Sequence, residues 1–235
     1  MITIIDAEKL YFDNNGWNRV HRIIPINRFH EQKKADFGSF LTINDYTVYP
    51  GFGYDMHPHQ NREIIFFVID GELTSRDIGD NSVVMRKNFV QEISSGSGYA
   101  HSNYNYGDSP ARYIGVWLLP KEQNGPPASS VREYDPALWH GRFHPIASGL
   151  PGHADAGNEP PIPFNAAATL YRAVIENSGL SFAVAEGQKA LLYIIDGELD
   201  CNGETMKKRY HARITGEESL QLRSDGKAEC ILVVM

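Results

Sequence analysis

The chain has 235 residues, enough for one large domain or two of about 100 to 120 residues each. Its 42% hydrophobic content supports a packed core, and its net charge of −7 argues against the basic face that direct nucleic-acid binding needs. No apolar run approaches the ~18 residues of a membrane span, and MITIIDAEKL has neither the basic lead nor the apolar core of a secretory signal.

In chain order, the first 30 residues carry little pattern, and His30, in NRFHEQKK, reads as a surface loop. FGSFLTINDYTVYPG (37–51) is the first strong strand signal, rich in β-branched and aromatic residues. Next comes HPHQNREIIFFVIDGEL (57–73), in which two histidines precede an apolar run closed by Asp-Gly. ELTSRDIGDNSVV follows, with its turn at Gly79-Asp80-Asn81, and SSGSGYAHSNYN (94–105) leads a glycine-rich turn into His101. ARYIGVWLLP (111–120) completes the first half.

From Pro120 to Pro163 prolines and glycines cluster, which predicts a linker. Within it DPALW starts a short helical turn, with Asp135 as cap and Pro136 in the first position. His140 and His144 are four apart, but Gly141 and Pro145 argue for a loop.

TLYRAVIE, LSFAVAEG, LYIIDGEL (192–199), ELDCNGETM, ARITGEESLQLRS and AECILVVM then repeat the strand-and-turn rhythm, with Asn202-Gly203 as a tight hairpin. FFVIDGEL (66–73) and LYIIDGEL match at Ile, Asp, Gly, Glu and Leu, so the chain carries one design twice. The expected fold is all-β, two similar barrels in tandem: 1–130, a linker over 131–165, and 166–235. Cys201 and Cys230 are expected as buried, reduced thiols, which with the missing signal makes cytoplasmic the default location.

Only the first copy is armed. Residues two apart on a strand share a face, so His57 and His59 aim both imidazoles into one interior, and imidazole suits iron, copper, nickel and zinc alike. Gly51, five residues, His57-Pro58-His59, Glu63 and Asp70-Gly71-Glu72 resemble the first cupin motif. Gly96-x-Gly98-x-x-His101-x-x-x-Asn105 resembles the second. PGFGYDMHPHQNREIIFFVIDGEL and SSGSGYAHSNYN are similar to the pirin family in its bacterial quercetinase-like branch. LYRAVIENSGLSFAVAEGQKALLYIIDGELDCNGE is similar to that branch's C-terminal cupin.

That resemblance implies two tandem cupin barrels with one mononuclear divalent metal in the first, iron before nickel, copper, zinc, manganese or cobalt. The implied ligands are His57, His59, His101 and position 103. The family's glutamate at that last position is Asn103 here, a neutral amide oxygen that cannot accept a proton. Glu63 is the alternative fourth ligand, or a partner that holds a histidine ring. The resemblance further implies a quercetin 2,3-dioxygenase-like oxidoreductase acting on a flavonol or other phenolic substrate with dioxygen. The alternatives are a metal- or ligand-sensing regulatory protein with a protein partner, and a cupin without chemistry. Aligning the two DGEL turns sets Ala183 and Ala185 opposite His57 and His59, so the second barrel has no ligands. Trp17, Trp117 and Trp139 are expected as packing residues, and His211 as structural or exposed.

Overall fold

A computed structural model describes residues 1–9, 11–24, 38–151 and 159–235; His30 lies outside them. The described residues are mostly strand, with two short 3₁₀ helices at Ala7–Lys9 and Pro136–Trp139. The first strands are β1 (Ile2–Ile5), β2 (Tyr11–Asn14), β3 (Asn18–Ile24), β4 (Phe40–Val48), β5 (Gly53–His59) and β6 (Glu63–Asp70). There follow β7 (Glu72–Asp77), β8 (Ser82–Arg86), β9 (Phe89–Ser94), β10 (Tyr99–Tyr104), β11 (Ala111–Leu118) and β12 (Ala128–Glu133). The second half holds β13 (His144–Ser148), β14 (Ile162–Pro163), β15 (Thr169–Ala183) and β16 (Lys189–Asp196). It ends with β17 (Glu198–Cys201), β18 (Glu204–Lys207), β19 (His211–Thr215) and β20 (Ser219–Val234).

Two sheets, ordered β12-β9-β6-β11-β4-β3-β2 and β5-β10-β7-β8, make the first barrel. Ile64, Phe66 and Val68 of one sheet meet Leu73 and Met85 of the other inside it. The second barrel is one sheet, β1-β19-β16-β20-β15-β13-β14, with the β17-β18 hairpin attached to β20. Its interior is Ile175, Leu192, Ile194, Met206 and Leu222, with Cys201 and Cys230 buried as free thiols. A third core fills the seam between the barrels. There Ile65, Phe67 and Ile69 of β6 share one cluster with Leu191, Tyr193 and Ile195 of β16. Both copies of the repeated strand are therefore buried on both faces, which is why each reads as an unbroken apolar run rather than an alternation.

The repeated Asp-Gly has a steric cause. Gly71 and Gly197 adopt φ of 71° and 77°. A Cβ at Gly71 would stand 2.6 Å from the Pro110 carbonyl oxygen, and one at Gly197 2.0 Å from that of Lys227. In each barrel a returning stretch of chain passes so close to this turn that only glycine fits. Asn202 and Gly203, both at positive φ, form the expected two-residue hairpin between Cys201 and Glu204. Asp135 caps the 3₁₀ turn, accepting from the Ala137 N–H at 2.9 Å.

Sheet pairing crosses the segment limits read from the sequence. β1 is hydrogen-bonded to β19, in the second barrel's sheet. Residues expected in the linker supply part of β12, which pairs with β9, and β13, which pairs with β15. Polar groups also cross the seam. The buried Asp45 carboxylate accepts from Arg112 Nε at 3.0 Å and Nη2 at 2.6 Å, and from the Tyr193 hydroxyl at 2.8 Å. Arg209 Nε lies 3.4 Å away, and Arg112 Nη2 also reaches the Ile195 carbonyl at 2.8 Å.

Candidate metal centre

β5 and β10 are antiparallel neighbours, with His57 directly opposite His101 and His59 opposite Tyr99. Cross-strand partners share a face, so the three imidazoles converge. The ring centroids lie 4.7 Å apart for His57 and His101, 4.8 Å for His57 and His59, and 5.2 Å for His59 and His101. One nitrogen from each ring falls within 4.8 Å of the others. The register slips between His101 and Asn103, where β5 carries an extra residue. At that bulge the His57 Nδ1–H donates to the Asp55 carbonyl at 2.6 Å. This bond fixes the tautomer and leaves Nε2 as the free lone pair.

Asn103 follows two residues after His101 on the same face of β10, and it is buried. Gly53 is tied to this position: a Cβ there would stand 2.3 Å from the Asn103 carbonyl oxygen. Glu63 requires a correction. On β6 the even positions face the barrel interior, whereas Glu63 lies on the odd, seam-facing side. Its carboxylate accepts from Ser94 Oγ at 2.6 Å and from the Asn165 N–H at 2.9 Å. It is thus neither a ligand nor a support for a histidine ring. The strand alternation turns it to the opposite face of the sheet.

The donor set fits a transition metal. His59 Nε2, both ring nitrogens of His101 and Asn103 Oδ1 are buried without a hydrogen-bond partner. Burial, then the neighbouring imidazoles, hold the His59 pKa down at about 4 and the His101 pKa down at about 3. Both rings therefore present neutral nitrogens far into acid, the form that ligates a cation. Trp117 stands edge-on to His59 at 5.0 Å, and Phe66 lies 5.9 Å from His101. The Trp117 indole Nε1 is buried and unpartnered, so this residue is part of the site's wall, which its sequence context did not signal. Tyr54 donates no bond to the triad; its hydroxyl accepts from Asn18 Nδ2 at 2.8 Å, and its ring lies 6.5 Å from His57. Tyr99 lines the same wall, 6.2 Å from His101, while Met56 is exposed. His211 is buried opposite Tyr193, on the seam side of the second barrel. His144 lies in β13, and His140 pairs with Glu176 at 3.2 Å; neither joins the triad.

The seam carries a second titrating feature. Ser94 Oγ lies 2.6 Å from both Glu63 Oε2 and Glu92 Oε1. One hydroxyl proton cannot serve both, so a protonated Glu92 donates to Ser94, which donates to the Glu63 carboxylate. Burial accordingly raises the Glu92 pKa to about 7. The folded chain keeps this proton at pH values where the unfolded chain has lost it. Stability from this group therefore falls as pH rises from the ordinary glutamate range through about 7. Glu92→Gln is expected to flatten that decline and raise Tm above pH 7. Melting curves from pH 5 to 9 check this; parallel curves for the two proteins would refute it.

Two β-barrels, one with an interior histidine triad, define a bicupin. Residues 12–118 match the Pirin family, and residues 154–235 match the quercetinase C-terminal cupin domain. The chain belongs to the pirin family. It is 26% identical over 227 residues to a pirin-like protein from Caulobacter vibrioides, covering 96% of each chain. It is 23% identical over 239 residues to a quercetin 2,3-dioxygenase from Escherichia coli K12, covering 99% of this chain and 97% of that one. The crystal structure of the bacterial pirin YhhW from Escherichia coli in complex with nickel(II) superposes with a TM-score of 0.88. It covers 100% of this chain and 99% of that one at 21% identity. No helix among the described residues is long and apolar enough to cross a membrane.

Proposed function

We propose that His57, His59 and His101 hold one divalent transition metal, with Asn103 as a neutral fourth donor. On this reading the chain is a cytoplasmic metal-dependent dioxygenase of flavonol or other phenolic substrates. The observation that carries it is the set of three imidazole nitrogens within 4.8 Å, with buried, unpartnered nitrogens on the His59 and His101 rings. Iron is the first choice; the nickel(II) complex of the Escherichia coli pirin supports a divalent metal of this series. When bound, the metal supplies Lewis acidity toward a phenol oxygen and, if redox-active, electrons. His57 presents Nε2 through its bond to Asp55. Trp117 and Phe66 keep water from one side and offer an apolar wall to an aromatic ring.

Asn103 favours a second reading. The amide cannot take the substrate's proton, and the cluster of ionisable candidates among the described residues contains only the three histidines. A site that binds metal without turnover suits a metal-sensing protein that acts through a protein partner. Asn103→Glu separates the two. For the enzyme, slow consumption of quercetin under oxygen is expected, rising on the order of 10²-fold in the variant as a base is restored. Metal at about one ion per chain with no turnover in either protein selects the sensing reading. No metal after anaerobic loading with ferrous iron, measured by elemental analysis, would sink both.

A further inference from the structure

The two barrels and the segment joining them enclose a cleft of about 500 Å³ that no part of the histidine site lines. Its volume falls in the range of small-ligand pockets. Lys87 comes from the first barrel, Trp139 and His140 from the joining segment, and Arg172, Lys227 and Glu229 from the second. The cleft is thus built by all three parts of the chain.

Arg172 is its most unusual group. It is 1% exposed, and its guanidinium carbon lies 4.3 Å above the Trp139 ring. Its Nε donates to Glu229 Oε1 at 2.6 Å, and Nη2 pairs with the same oxygen. Nη1 is buried with no partner. A guanidinium carries five N–H donors in a fixed fork, and a second acceptor is missing on this side.

The charges around it lean the same way. Glu229 is taken by Arg172, and Asp196, also in the wall, pairs with Lys208 at 3.0 Å. His140 pairs with Glu176. Lys87 and Lys227 make no ion pair with a described residue and are exposed at the cleft. Two uncommitted ammonium groups therefore stand at the opening, and a half-committed guanidinium stands in its wall.

We infer that this cleft binds a small anion bearing a carboxylate or phosphate group. The anion's oxygens meet Arg172 Nη1 and the two lysines, giving charge-assisted hydrogen bonds in a partly desolvated setting. Because Trp139 lies over Arg172, an occupant also holds the joining segment against both barrels.

Isothermal titration calorimetry of the full chain, with inorganic phosphate and separately with benzoate, tests this. Saturable binding of at least one probe at a Kd of about 1 mM or tighter is expected, and the tighter probe identifies phosphate or carboxylate as the preferred group. The double variant Lys87→Gln/Lys227→Gln, altered only at exposed positions, should weaken binding about ten-fold or more. His101→Ala should leave it unchanged, which separates this cleft from anion binding at the metal centre. Failure of both probes to saturate, equal affinity in the double variant, or loss in His101→Ala would each overturn the assignment.

Discussion

Asp45→Ala is expected to lower the unfolding free energy by about 3–5 kcal/mol, the scale for removing one partner of a buried ion pair. The carboxylate is fully buried and is shared by Arg112, Arg209 and the Tyr193 hydroxyl. Removing it leaves Arg112, itself mostly buried, without its counter-charge at the seam. Because Asp45 and Arg112 lie in the first barrel and Tyr193 and Arg209 in the second, the loss also weakens the contact between barrels. Urea unfolding with two probes, one for each barrel, measures it. The variant should unfold at lower urea, and its two transitions should separate. A loss below about 1 kcal/mol would show that water reaches this network. Replacing Asp45, Arg112 and Arg209 together by apolar residues, with Tyr193→Phe, should recover much of the loss, since a fully apolar seam needs no buried counter-charge.

His101→Ala should remove the metal. Losing a ligand outright should exceed the 10- to 100-fold effect typical of losing a residue that merely supports one, so affinity should drop at least about 100-fold. Elemental analysis of protein purified without a histidine tag would fall from about one ion per chain to near none. A second readout needs no activity. At a free metal concentration about 1,000 times the wild-type Kd, wild type should gain about 4 kcal/mol of stability, and the variant no more than about 1.4 kcal/mol. Equal thermal shifts on adding metal would place the ion elsewhere on the chain.

Much of this architecture was legible in the residues. The doubled DGEL turn declared the duplication because each glycine meets a carbonyl oxygen that no other residue could tolerate. His57 and His59 were legible because a two-residue step on a strand returns to the same face. The opposition of His101 to His57 was foreshadowed by the glycine-rich turn before it. Glu63 was misread for a physical reason. β6 is apolar on both faces, so its pattern does not tell which side is the interior, and the turn at Asn61, with φ of 51°, resets the direction after His59. The seam was illegible as well. Nothing local marks Asp45 and Arg209 as partners, since they meet only once the two barrels are packed. Trp139 read as packing, and it does join the apolar core at the seam, but its ring also carries the Arg172 guanidinium.

The pairing of β1 with β19 sets an order of events during synthesis. Ile5 is the partner of His211, about 200 residues further along the chain. At roughly 5–20 residues per second, β1 leaves the ribosome and waits on the order of 10–40 s for its neighbour. Meanwhile the first barrel can close around its own strands, but the opening residues have no sheet to join. A segment made ahead of both barrels is thus placed only after β19 has emerged, and it seals the edge of the second barrel's sheet.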